Sequence, residues 1–287
     1  MTESSIANTA QYEYWNTVAG PRWIGLGGFV ERRVRAVTDL LLARSGVAVG
    51  ESVLEIGCGT GAATVLFADA VGKRGRVFGI DISEPMLAGA AKRIAESGLR
   101  NISLLQADAQ VHHFEPDRFD LIASHFGVMF FADPVAAFGN LLPAARAGGR
   151  LCFACWGRLE DNKHWLIPYE VALRHLGPPA PNPPHMPGPL AFSDPAYVRS
   201  ILKTAGFADV EINREAPAII GSAPEEEAEH ACIIAPAGRL IDEKKPDDAV
   251  REKIRQEMVE AFAAAYAQGK STLLPSTVFI VTAQRPR

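Results

Sequence analysis

Three glycines at alternate positions, Gly57, Gly59 and Gly61, break an apolar run that ends around an acid, Glu55. A helix-compatible stretch, residues 62–70, follows at once. Glycine is needed where backbone turns tightly or meets a ligand with no Cβ between them. A strand, a glycine-rich turn and a helix in that order offer amides to a nucleotide-like ligand at a helix N-terminus. A second apolar run, residues 76–80, leads into Asp81. That is where a doubly wound fold places the carboxylate that accepts from ribose hydroxyls. His125 follows a further apolar run, residues 119–124, at the edge where an acceptor must approach. Histidine titrates near neutral pH, so His125 is the best candidate for a general base, with His164 second. The alternative for His125 is a hydrogen bond to a ligand or loop without proton transfer. His112 and His113 sit in a polar turn and read as surface residues.

These residues need a sheet to position them. Apolar runs at 53–56, 76–80, 102–105, 119–124, 148–156, 207–212 and 278–282 alternate, through most of the chain, with helical patterns. That order makes a mostly parallel sheet with right-handed crossovers, an α/β Rossmann-like fold. Ser83 with Glu84 and Pro85 reads as a helix start, and Ser193-Asp194-Pro195 as another.

Two cofactor classes use such a turn. Dinucleotide folds favour G-x-G-x-x-G, with pyrophosphate on the helix N-terminus, whereas this chain has G-x-G-x-G. A cofactor without phosphates needs fewer helix amides and more room for an amino-acid moiety. The spacing leaves both open. Residues 53–61, however, resemble motif I of the class I S-adenosylmethionine-dependent methyltransferases. Residues 79–83 are similar to their ribose-binding acidic loop, Ala107-Asp108-Ala109 to their adenine-contacting segment, and residues 119–124 to their fourth motif. Leu142-Pro143 through Leu151 resembles their post-helix glycine turn. The five motifs run in order over residues 50–156, and segment 124–134 is similar to the small-molecule branch related to ubiquinone/menaquinone-biosynthesis methyltransferases.

The resemblance implies a seven-stranded sheet in the order 3-2-1-4-5-7-6 with the last strand antiparallel. It implies S-adenosyl-L-methionine as cofactor and S-adenosyl-L-homocysteine as product. Gly57, Cys58, Gly59 and Gly61 would cradle the methionine part, and Glu55 would order the turn or the cofactor amine. Asp81 would hold the ribose, Ile82 and Met86 would flank adenine, and Asp108 would accept from its amino group beside Ala107 and Ala109. Ser124 joins this cofactor set. The implied reaction is O- or C-methylation of a small phenol, quinol, enol or similar acceptor. A methyltransferase-fold protein that binds the cofactor without transfer, or an NAD-dependent oxidoreductase, are the alternatives.

Three additions flank the sheet. Residues 1–45 carry Tyr14, Trp15 and Trp23 ahead of a helix over 29–42 with Val30, Val34, Val37 and Leu41 on one face. In related enzymes such a segment is a lid, and aromatic faces suit an adenine ring or a sulfonium; the same aromatics could simply pack the helix on the sheet. The rest, 46–287, is expected to be the methyltransferase domain with cap insertions at about 157–193 and 214–275. The first holds a helix over 165–176 and a proline-rich stretch, 177–189, expected to cover the substrate pocket. Trp15, Met129, Phe130, Trp156, His164 and His185 are the expected substrate-pocket residues. In the second, Ser222 to Glu225 reads as a capping-box helix start. Val250, Ile254, Met258 and Phe262 form an amphipathic stripe, and the charged run 242–248 reads as a solvated connector. No repeat and no second core is apparent.

At 287 residues with 48% apolar content, the chain can bury an ample core. A net charge of −4 disfavours nucleic-acid or anionic-lipid partners. No apolar run reaches membrane-spanning length, and Met1-Thr-Glu-Ser-Ser lacks the features of a signal peptide, so the expectation is cytoplasmic. A homodimer through the N-terminal helices is compatible with the sequence. The four cysteines read as free thiols, and Cys152 and Cys155, three apart on a strand, point to opposite faces, so no metal is expected.

Overall fold

A computed structural model of the chain describes residues 7–26, 28–269 and 272–287; residues 1–6 of the expected lid lie outside it. The chain opens with helices α1 (Thr9–Tyr14), α2 (Gly20–Gly25), α3 (Phe29–Arg33) and α4 (Arg35–Ser45), the first two joined by a π-helical turn, Trp15–Ala19. Then come β1 (Ser52–Ile56), α5 (Ala62–Val71), β2 (Arg76–Asp81), α6 (Glu84–Ser97), β3 (Ile102–Gln106), β4 (Phe119–His125), α7 (Pro134–Leu141) and β5 (Ala145–Trp156). The remainder is α8 (Lys163–Leu176), α9 (Pro195–Thr204), β6 (Ala208–Glu215), β7 (Ile219–Ile220), α10 (Pro224–Ala231), α11 (Ala235–Lys244), α12 (Asp248–Gly269), β8 (Leu273–Leu274) and β9 (Val278–Gln284).

Seven strands form one sheet in the order β3-β2-β1-β4-β5-β9-β6. All pairs are parallel except those made by β9, which runs antiparallel to β5 and β6. The implied order holds, with β9 in the seventh place and a two-stranded β7–β8 ribbon added. The central strands are buried on both faces, as Val53, Leu54, Leu121 and Ile122 show. That is why they read as continuous apolar runs. Ser83 caps α6 through a bond from the Met86 N–H, and Asp194 caps α9 through one from Ala196. No helix among the described residues is long and apolar enough to cross a membrane.

Four local expectations change. The helix expected over 29–42 breaks at Val34 (φ −98°, ψ 12°), separating α3 from α4. Ser222 does not cap α10; Ala223 holds that position, and the Ser222 N–H and hydroxyl both donate to Glu227 Oε1 (2.8 and 3.2 Å). The run 242–248 is not all connector, because Asp242 to Lys244 end α11 and Asp242 pairs with Arg22 of α2 at 2.5 Å. There is also a second core. Val171, Ala228, Leu240, Ile254, Met258 and Phe262 pack α8, α10, α11 and α12 together apart from the sheet. The α12 stripe is therefore the spine of a helical cap, burying Ile254, Met258 and Phe262 completely.

The main sheet and its site meet where the turns after β1 and β4 touch. A Cβ on Gly57 (φ +66°) would lie 2.7 Å from Gly127 Cα, and one on Gly127 would lie 2.6 Å from Ile56 O and 2.8 Å from Gly57 Cα. All those atoms are backbone, so nothing flexible can yield. Gly127→Ala should destabilise the protein by about 1–3 kcal/mol, the usual cost of overpacking. Urea denaturation checks this, and an unchanged midpoint would show that the turns can separate.

Candidate functional site

A cavity of about 620 Å³ runs from the β1 turn to the helical cap. At one end lie Glu55, Gly57, Cys58 and Gly59, with Asp81, Ile82 and Met86 from the β2 turn beside them. Ala107, Asp108 and Ala109 continue the wall. Tyr14, Trp15 and Trp23 close over it, with Trp15 edge-on to Phe130 at 5.3 Å. Met129, His125, Trp156 and His164 lead on toward the cap.

Three expected site residues stand elsewhere. Gly61 sits behind the turn, where a Cβ would come within 3.1 Å of Ala90, so it serves the packing of α5 on α6. Ser124 is fully buried; its hydroxyl donates to Ile56 O (2.7 Å) and accepts from the Gly127 N–H (3.0 Å), which ties β4 to the β1 turn. His185 stacks on Tyr197 with ring centroids 3.6 Å apart and lies outside the cavity lining. Of the proline-rich stretch only Pro189 reaches the lining. The cover comes instead from α8, α10 and the start of α11, including Glu227, His230 and Ala235.

The β1 turn does not present its amides as the glycine pattern suggests. The Gly57 and Cys58 N–H groups both donate to Ile80 O (2.8 and 3.1 Å), Gly59 to Asp81 Oδ2 (2.8 Å), and Gly61 to Cys58 O (2.9 Å). Four donors that a pyrophosphate would want are already committed. What faces the cavity instead is acidic, with Glu55 and Asp81 in the same wall. Asp81 accepts one backbone N–H on each oxygen, from Gly59 and from Ser83 (2.9 Å), leaving a lone pair on each for hydroxyl donors. Such a wall offers carboxyl acceptors to the hydroxyls of a ligand.

Burial, against the Thr64 hydroxyl bond at 2.5 Å, pushes the Glu55 carboxyl up to about 8, so it is largely protonated at neutral pH. Burial also raises Asp81, opposed by its backbone N–H bonds, and raises the Cys58 thiol. Burial alone lowers His125 to about 4 and holds its imidazole neutral; its Nε2 lies 3.3 Å from Thr38 Oγ1.

Asp108 is more engaged than the motif implies. Oδ2 accepts from the Ala7 and Asn8 N–H groups (2.9 and 2.8 Å), and Oδ1 from Asn8 Nδ2 and the Gln110 N–H (2.6 and 3.0 Å). Asn8 in turn accepts from the Ala132 N–H at 2.5 Å. The carboxylate expected to receive an adenine amino group thus fastens the N-terminal segment over that end of the cavity. A second strap, Glu31 on α3, accepts from the Thr60 hydroxyl and from Arg93 Nη2 (2.5 Å). Sequence reasoning missed Asn8, Glu31, Arg33, Glu227 and His230, which no motif marks.

Residues 53–149 match the family model described as a methyltransferase domain. This part of the chain is similar to methyltransferase domains. Over 104 residues the chain is 43% identical to an aklanonic acid methyltransferase of Streptomyces sp., covering 36% of this chain and 47% of that protein. It is 36% identical over 111 residues to a ubiquinone/menaquinone biosynthesis C-methyltransferase of Marinomonas sp., covering 38% and 44%. The chain thus spans less than half the length of these relatives. The fold is similar to that of Haemonchus contortus phosphoethanolamine N-methyltransferase 2, solved with S-adenosyl-L-methionine, at a TM-score of 0.52 and 18% identity over 87% of this chain and 52% of that one.

Because Glu55 is raised from its unfolded value near 4.5 to about 8, its contribution favours folding below pH 4.5 and is lost as pH rises through 8. Glu55→Gln keeps an acceptor for Thr64 and removes that ionisation. The variant should gain stability over wild type at pH 8.5 and not at pH 4.5 in urea titrations. Parallel pH curves for the two proteins would show that Glu55 is ionised in the folded state.

Proposed function

We propose that the chain is an S-adenosyl-L-methionine-dependent methyltransferase acting on a small-molecule acceptor. The observation that carries this reading is the Asp81 carboxylate at the end of β2, in the cavity wall beside a β1 turn whose own amides are already bonded. When bound, the cofactor supplies an activated sulfonium methyl. The β1 turn around Gly57 and Gly59 holds the amino-acid end, and the free lone pairs of Asp81 take the ribose hydroxyls. Ile82 and Met86 bracket the adenine. Asn8 and Asp108, bonded to each other, close the adenine end and exclude water.

The remaining work is alignment of the acceptor and exclusion of water, since the methyl needs no further activation. The aromatic floor of Phe126, stacked on Trp156 at 4.4 Å, suits a flat acceptor. His125, neutral and next to that floor, takes the acceptor's proton where one must leave. Being weakly basic, it suits an acceptor that is itself acidic.

Incubating the chain with methyl-tritiated cofactor and a panel of phenols, quinols, enols and aromatic acids tests the reading. Label should pass to at least one acceptor. Binding of the cofactor with transfer to none would favour a methyltransferase-fold protein of other function. With an acceptor in hand, turnover should be flat from pH 6 to 8 and fall only as His125 is protonated toward pH 4. His125→Ala should lower kcat by about 10²–10⁴-fold, the usual range for a general base. Wild-type turnover at every pH would remove His125 from the chemistry.

A further inference from the structure

The cap end of the cavity holds a charged group that the methyl-transfer reading does not use. Arg33 ends α3, and the break at Val34 turns it inward, leaving its side chain 10% exposed. Its Nη1 donates to Glu227 Oε2 at 2.5 Å. Glu227 is 2% exposed, and its other oxygen is taken by the Ser222 N–H and hydroxyl. Arg33 Nε and Nη2 are buried without a hydrogen-bond partner among the described residues. Those two N–H groups share one edge of the guanidinium plane. They form the parallel fork that matches both oxygens of a carboxylate or of a conjugated oxyanion.

Two more unpartnered groups border the same cavity. His164 is 4% exposed and the Nδ1 of His164 and of His230 are both buried with no partner. The His230 ring packs on Phe29 at 3.8 Å, and Arg33 lies over that same phenyl ring at 5.4 Å. Burial, then the nearby Arg33 charge, drives His164 well below its ordinary value, and burial lowers His230. Both imidazoles are therefore neutral and can donate or accept without adding charge. Leaving a buried polar group unsatisfied costs about 1–3 kcal/mol. Three of them around one cavity mark a place where a ligand completes the bonding.

We propose that Arg33, flanked by His164 and His230, is the recognition site for an oxyanion carried by the methyl acceptor, a carboxylate or an ionised enol conjugated to a flat ring. The inference rests on the methyltransferase reading and adds the acceptor class to it. The ring lies along Trp156, which packs against Phe126 and, at 4.6 Å, against Trp165. Arg33 already balances Glu227, so what it offers the incoming anion is the directed hydrogen bonding of its free edge rather than a net opposite charge. The fork orients the ring, and His125 takes any proton that the methylated atom still carries.

The test is calorimetric titration of the full chain, with and without S-adenosylhomocysteine, using naphthoate, methyl naphthoate and acetylindandione, an enol ionised at neutral pH. At least one anion should bind about tenfold or more tightly than the uncharged ester, tenfold being 1.4 kcal/mol. Binding of naphthoate alone assigns a carboxylate, and of acetylindandione alone an ionised enol. Arg33→Lys keeps a cation for Glu227 but removes the fork, and should abolish the preference while leaving S-adenosylhomocysteine affinity unchanged. The double variant Arg33→Gln, Glu227→Gln, with no buried charge left unpaired, should do the same. Equal binding of acid and ester, no binding of either anion, or a preference that survives both variants would overturn the proposal. Failure of S-adenosylhomocysteine to bind would instead overturn the methyltransferase reading, because anion preference is also measured without it.

Discussion

The contact between Gly57 and Gly127 is the constraint on which the site depends. Here the turns leaving β1 and β4 lie backbone against backbone, with no side chain between them. Ser124 fastens the contact from below by bonding both Ile56 O and the Gly127 N–H. The two central strands thus part at a fixed place, and the cavity opens beside that point, as expected for a sheet whose order reverses there.

The bonding inside the β1 turn then selects the ligand. Gly57, Cys58, Gly59 and Gly61 donate within the protein, and beside them the Glu55 and Asp81 carboxyls line the cavity. Asp81 has a double role, since it accepts from the Gly59 N–H and also lines the cavity. A dinucleotide needs the opposite arrangement, with free amides toward a pyrophosphate. The cap end differs in kind: Arg33, His164 and His230 border the cavity there with buried N–H or ring nitrogen atoms that have no partner among the described residues.

Much of the β1–β2 end of the cavity was legible in the sequence because its determinants are local. The glycine turn, Asp81 and the Ser83 cap each act over a few residues, and continuous apolar runs are how doubly covered parallel strands read. The cap end was not legible. Arg33 looks like one of several basic residues on a surface helix until Glu227, 194 positions away, draws it inward. The second core escaped notice because the Ile254, Met258 and Phe262 stripe shows a buried face without showing its partner. The proline-rich stretch misled for a similar reason: stiffness was plain, but His185 packing on Tyr197 holds most of it off the cavity. Asp108 was found in its motif position, yet the Asn8 side chain that occupies it carries no pattern of its own.

Calorimetric titration of the full chain and of Asp81→Ala with S-adenosylhomocysteine tests the central claim most directly. The acidic-wall account expects saturable binding to the wild type and about tenfold or greater weakening in the variant, as for losing charge-assisted bonds to two hydroxyls. No saturable binding, or equal affinity in both proteins, would contradict it.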